Sequence, residues 1–178
     1  KEFFYRLSNQ TLGIKANECN RVWVGDVTYL KVREGWRYCA VVMDRYSRRI
    51  VGWALSKNRD VALTLKAFNR AVRARRPEPG LIFHTDRGIE YASFVFRKRL
   101  TQIGVIQSMN RPQSINDNAF MESFFHSLKS DIYHGIPLES ETQMSLRLKN
   151  YFPFYNQQRL HSALAYQTPV QYEAIAVC

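Results

Sequence analysis

Cysteine is scarce in this 178-residue chain, with three residues at Cys19, Cys39 and Cys178. Their odd number and wide spacing offer neither a disulfide framework nor a CxxC zinc site, and they suit a reducing cytoplasm. Long apolar runs are missing too. No stretch approaches the roughly 18 residues of a membrane span, so no membrane partner is expected. No signal-peptide pattern opens the chain, and the start at Lys1 rather than Met is what a fragment of a longer protein would show. Internal repeats and low-complexity tracts are absent. Acidic residues are few, 15 against 26 basic ones, for a formal net charge of +11. Such a balance points to a polyanion, nucleic acid before an anionic membrane surface. What the chain does have is 46% apolar and 13% aromatic residues, which excludes a disordered segment and predicts one compact domain.

Strand patterns come first. Val22 to Val32 is β-rich, Arg33-Glu34-Gly35 is a turn, and Tyr38 to Met43 is an unbroken apolar run expected to be covered on both faces. Asp44 to Arg49 turns the chain into a third strand, Ile50 to Leu55, which predicts an antiparallel meander. A helix capped by Asn58 or Asp60 follows, with Val61, Leu65, Phe68 and Val72 as its buried stripe, and Pro77 and Pro79-Gly80 stop it. A fourth strand at Leu81 to His84, a helix from Ser93 to Ile103 and a fifth strand at Val105 to Ser108 come next. A last helical region, Glu139 to Asn156, should be kinked or broken by Pro153, and a short helix follows Thr168-Pro169. This order describes a mixed sheet flanked by helices, an α/β fold.

Ser108 to Ile132 is the most informative stretch. It reads as a polar loop entering a helix that Asp117 or Asn118 can cap. Met121, Phe125, Leu128 and Ile132 make one apolar face, and Asn118, Glu122, His126 and Lys129 make a polar stripe one position round.

Three other acids ask for a partner. Asp26 lies mid-strand between Val24 and Thr28, where a carboxylate is costly unless paired, metal-bound or at a sheet edge. Asp86 follows a short apolar strand, where open α/β sheets place ligand groups, although a turn Asp would look the same. Asp44 reads as turn chemistry. Carboxylates on separate elements of a basic protein suit Mg²⁺ or Mn²⁺. Two such ions roughly 4 Å apart can activate an attacking oxygen and stabilise a leaving one in phosphodiester chemistry.

Five stretches carry a family resemblance: Trp23 to Tyr29, Met43 to Trp53, His84 to Tyr91, Asp117 to Phe125 and Tyr155 to Leu164. The chain resembles the catalytic core of bacterial insertion-sequence transposases (OrfB type) of the retroviral-integrase superfamily, whose fold is RNase H-like. The resemblance implies an RNase H-like, five-stranded mixed sheet flanked by helices. It implies a linker or N-terminal arm over 1–20 and an integrase-type core with a C-terminal helical tail over 21–178. It places the family's Asp-Asp-Glu triad on Asp26, Asp86 and Glu122, and the 35 residues numbered 87 to 121 separate the last two, as the family keeps them. Implied with it are two Mg²⁺ (or Mn²⁺) ions, DNA as partner, a homo-oligomer on DNA and a bacterial cytoplasmic setting. His126 and Lys129 are the first candidates for DNA contact, followed by Arg87, Arg111, Asn118, Arg159 and His161; Arg159 and His161 could instead fasten the tail.

The chain departs from the family at Thr85 (usually Ser), Glu90 (usually Gln), Pro153 (usually an acid), Ala165 (usually Gly) and Gln113-Ser114-Ile115 (usually Gly-x-Pro). None of these is a triad position. Loop 109–116 is expected to be mobile without DNA, which would displace Glu122. An RNase H-type nuclease and a catalytically dead DNA-binding module stand as alternatives.

Overall fold

The computed structural model describes residues 8–14, 16–112, 118–133 and 140–176. Five strands form one sheet in the order β3-β2-β1-β4-β5. β1 (Val22–Val32), β2 (Gly35–Asp44) and β3 (Ile50–Ser56) are the expected antiparallel meander. β4 (Ile82–Thr85) and β5 (Ile106–Met109) extend it in parallel from the other edge of β1.

Each face of the sheet has its own core. Alternation along β1 sends Trp23 to one side, with Phe68, Phe83 and Phe96, and Val24 and Leu30 to the other, with Met121, Leu128 and Leu148. β2 is buried on both faces as its unbroken apolar run requires: Cys39, Val41 and Met43 join one core, Ala40 and Val42 the other. Each fully buried large side chain contributes about 1.5–3 kcal/mol.

The first face is covered by α1 (Val61–Arg75), the one-turn α2 (Ile89–Ala92) and α3 (Phe94–Gln102). Asp60 caps α1 by accepting from the Leu63 amide at 2.9 Å. The buried stripe of α1 is Leu63, Thr64, Ala67, Phe68 and Ala71, one step round from the stripe of large residues predicted. The reason is close approach: a Cβ at Gly52 of β3 would fall 2.4 Å from the Ala67 carbonyl oxygen and 2.8 Å from the Ala71 Cβ. Only small residues fit that crossing.

The second face is covered by α4 (Ala119–Ile132) and α5 (Glu141–Gln157). Met121, Phe125, Leu128 and Ile132 are buried as their spacing predicts, joined by Phe124. Pro153 does not break α5, which runs on to Gln157; it lies on the exposed side, with Tyr151, Phe152 and Tyr155 buried around it. After α5 a 3₁₀ turn (Ser162–Leu164) ends at Ala165 in the left-handed region (φ 52°), where the resemblance expects a glycine. α6 (Pro169–Ile175) closes the tail with a capping box between Thr168 and Gln171.

Ahead of β1, Asn9 and Thr11 are buried, and the Gln10 amide donates to Ser108 Oγ of β5 at 2.9 Å. Cys39 is a buried free thiol. Cys19 is disulfide-bonded, contrary to the sequence expectation, because spacing along the chain says nothing about closeness in space. Asp117 and most of the loop before α4 lie outside the described residues.

Candidate active site

The register of β1 and β4 builds the site. The two strands pair in parallel from Val22↔Ile82 to Gly25↔Thr85, and the next residues on each are Asp26 and Asp86. Two carboxylates therefore emerge side by side where the parallel pairing ends. Gly25 permits this approach, since a Cβ there would sit 2.4 Å from the Phe83 ring. Asp26 Oδ1 accepts from the Val27 amide at 2.7 Å, and Asp86 Oδ1 accepts from the Gly88 amide at 2.9 Å.

Around the pair stand groups that the sequence reading did not assign. Glu90, from α2, is buried, and its Oε1 accepts from Arg59 Nε at 2.8 Å. The same guanidinium reaches to 4.0 Å from Asp86 Oδ2. Beside Glu90, Tyr91 is buried; burial first, then Asp26, Asp86 and Glu90, push its phenol well up.

The electrostatics follow from this crowding. Burial, then the neighbouring Asp86 carboxylate, push Asp26 up to about 7; the Val27 amide and Arg59 oppose the shift, and Glu90 adds to it. Asp86 is raised as well, by burial and Glu90, against the Gly88 amide and Arg59. Three carboxylates thus face the one guanidinium of Arg59 in this cluster. Each Asp accepts a backbone amide at Oδ1, and Oδ2 of Asp86 faces Arg59 at 4.0 Å. Half-buried, mutually repelling hard oxygens of this kind fit a divalent ion such as Mg²⁺.

Glu122 stands on the neighbouring helix. Met121, next to it, packs with Val24 on the sheet face that also carries Asp26. Further along α4, Lys129 Nζ lies 4.1 Å from the Tyr29 ring centroid and the Tyr133 hydroxyl donates to the Lys31 carbonyl at 3.0 Å. α4 therefore runs along β1, and its polar stripe follows the part of β1 that β4 leaves unpaired. Glu122 and His126 are exposed. Asp86, Arg59 and Glu90 act on Asp26, and Glu122 is not among these groups. The structure brings Asp26 and Asp86 together and leaves Glu122 on the helix alongside.

The basic candidates are dispersed. Arg87 Nε donates to the Asn110 carbonyl at 2.7 Å, below the acid pair. Arg111 is exposed. Asn118 is the α4 N-cap, yet its side chain makes no cap hydrogen bond; it is buried, and neither amide atom finds a partner among the described residues. Arg159 pairs with Asp131 of α4, and His161 forms a backbone bridge with Gln167 within the tail.

Among the described residues the group of three potential ligands that lie within 4.8 Å of one another is Cys19, Asp44 and Glu173, not the acids around Asp26, and it is already satisfied. Asp44 accepts from the Asn20, Tyr46 and Ser47 amides, as its turn reading requires. Glu173 accepts from Arg75, Arg49 and Ser47, and Cys19 is disulfide-bonded.

The fold has counterparts among solved structures. The HTLV-2 integrase catalytic core domain in complex with magnesium (trimeric form) superposes with a TM-score of 0.67 at 18% identity, over 87% of this chain and 97% of that one. A simian T-cell lymphotropic virus intasome in complex with the PP2A regulatory subunit B56 gamma gives 0.70 at 17% identity, over 87% and 54%. The fold is thus that of the RNase H-like integrase catalytic cores. Family models described as Integrase core domain match residues 16–114 and 122–176, and the chain belongs to that family. Among its relatives are the transposase for insertion sequence element IS904 of Lactococcus lactis subsp. lactis, 39% identical over 160 residues, and transposase InsF for IS3A of Escherichia coli K12, 39% identical over 155. The alignments cover 89% and 86% of this chain but 63% and 54% of those proteins.

Proposed function

We propose that the chain is the catalytic core of a DNA transposase, cutting a strand at the end of a mobile element and joining the freed 3′ end elsewhere. The observation that carries this reading is the pair Asp26 and Asp86, set side by side by strand register in a chain of net charge +11 whose relatives are transposases. Asp26, Asp86 and Glu122 are the proposed ligands of two Mg²⁺ or Mn²⁺ ions; the HTLV-2 core named above is a magnesium complex. Bound there, such ions would neutralise charge at phosphorus and lower the pKa of the attacking oxygen.

The chain's own part is positioning. β1 holds Asp26 within the sheet, Asp86 follows directly on the last residue of β4 with its Oδ1 tied to the Gly88 amide, and α4 offers the third acid from a helix. In cleavage a water oxygen replaces the 3′ oxygen at phosphorus; in joining, the 3′-hydroxyl oxygen does the same at a target phosphodiester. Each step forms one P–O bond and breaks one, and no side chain becomes linked to DNA. His126 and Lys129 hold backbone phosphates along α4, with Arg87, Arg111, Asn118, Arg159 and His161 as further contacts. Because the reaction joins two DNA ends, it needs more than one copy on DNA. The setting is the cytoplasm of a bacterium, as bacterial relatives suggest; no helix among the described residues is long and apolar enough to cross a membrane.

A strand-transfer assay with labelled element-end oligonucleotides and Mn²⁺ tests the proposal. Joined products that disappear in Asp86→Asn and Glu122→Gln are expected. Nicked products that are never joined would favour a nuclease, and full activity of Glu122→Gln would remove that residue from the triad.

A further inference from the structure

On the other flank of α4 a cavity of about 450 Å³ opens between the helix, the β2–β3 turn and the tail. Its polar lining includes Arg48, Ser123, Ser127, Arg159, His161 and Ser162, with Phe120 as a wall, and none of the described residues lining it is acidic. Arg48 lies flat over the Phe120 ring, 3.8 Å from its centroid, and Arg45 approaches the same ring at 5.2 Å. No carboxylate among the described residues pairs with Arg48, whereas Arg159 has Asp131. His161 Nε2 is buried without a hydrogen-bond partner among the described residues, its ring edge-on to Tyr155 at 4.8 Å. Burial, then Arg159 and Arg48, hold its pKa down against a hydrogen bond to the Tyr155 backbone, and the three basic groups converge on one space.

We propose that this cavity is a phosphate pocket that takes one phosphodiester unit of a DNA strand through Arg48, Ser127 and His161, separately from the acid cluster. The chemistry is one-sided. Guanidinium and hydroxyl groups supply donors, the His161 imidazole becomes a further donor once an anion draws a proton onto Nε2, and a phosphate supplies the acceptors and the charge they lack. A volume of about 450 Å³ admits a nucleotide unit as well as a bare ion. Position selects DNA as the source. Phe120, Ser123 and Ser127 recur on one face of α4, next to the face of Glu122 and His126, so a strand lying along that stripe passes the mouth of the pocket. The inference rests on the proposed DNA substrate for the identity of the anion, but it uses none of the proposed metal ligands.

NMR of the His161 ring, assigned with His161→Gln, tests it during titration of the chain with the dinucleotide pTpT. A saturable shift is expected, weakened about tenfold in Arg48→Ala and in Ser127→Asp; the second variant changes only the helix surface and carries the test if the first does not fold. An unmoved His161 ring in protein that binds labelled DNA by anisotropy would overturn the pocket and leave the transposase reading intact. A shift reproduced in full by inorganic phosphate, with no gain from pTpT, would mean an adventitious ion only and would also overturn it. A pTpT shift in protein that never joins strands would leave the pocket standing and count against the catalytic reading.

Discussion

Glu90 is the residue where this chain departs most informatively from its family. It stands where the resemblance expects a neutral Gln, and it adds a buried negative charge to a place already holding Asp26 and Asp86. Arg59 answers it at 2.8 Å and stops 4.0 Å short of Asp86. Glu90 thereby holds the guanidinium beside the acid pair rather than on it. In Glu90→Gln the charged anchor is lost, Arg59 is free to settle on Asp86, and the local field for a cation weakens. Both effects act in one direction. Mn²⁺ affinity measured by calorimetry should fall by about 1 kcal/mol, roughly fivefold. An unchanged affinity would show that Glu90 has no part in the metal site. The sequence offered a hint of this residue only as an oddity beside a family pattern. Its partner Arg59 and its neighbour Tyr91 carried no signal, because the sequence separation of 31 from Arg59 to Glu90 is closed by tertiary packing alone.

At the scale of elements, the strands and the apolar face of α4 were legible because strict periodicity reports burial directly. Where the reading slipped, a small residue or a short element was responsible. The alanines of α1 look neutral in sequence, yet Ala67 and Ala71 are its contact with Gly52. α2, four residues long, is too short to show a period. Asp26 and Asp86 were legible as a pair only through the family, since strand register is invisible in a single sequence. The tail was read as a short helix, but not how it is fastened. Glu173 of α6 is buried, with Arg75 at 2.7 and 2.9 Å, Ser47 at 2.8 Å and Arg49 also in contact. Burial raises its pKa, but the hydrogen bonds from Arg75, Arg49 and Ser47 outweigh that and set it below the ordinary glutamate range. A depressed carboxylate contributes stability that is present above its unfolded pKa and lost as pH falls through the folded one. The chain should therefore lose stability in acid below about pH 4. Glu173→Gln should cost about 3 kcal/mol at pH 7 and flatten that acid limb. Urea melts of both proteins across pH 3–7 measure this, and parallel pH profiles would show that Glu173 is not the group responsible.

For the molecule as a whole, charge and chemistry are divided between regions. Asp26, Asp86 and Glu90 gather at the end of the β1–β4 pairing, while Lys129, Arg45, Arg48 and Arg159 lie along α4 and its far flank. On the proposed reading, the net charge of +11 makes DNA affinity an electrostatic property of the second region, and the first would contribute only when a cation had offset it. The two should be separable. Removing divalent ions with EDTA should abolish strand cutting and leave DNA binding largely in place. Binding should instead follow monovalent salt, with log K falling by about 0.9 per phosphate contacted for each decade. Lys129→Ala should lower that slope by about one contact, and Asp26→Asn should leave it unchanged. Anisotropy of a labelled duplex across a salt series, with and without EDTA, reads all of these. If EDTA removed binding as completely as it removed cutting, the DNA would be held through the acid cluster, and the basic flank of α4 would lose its proposed role.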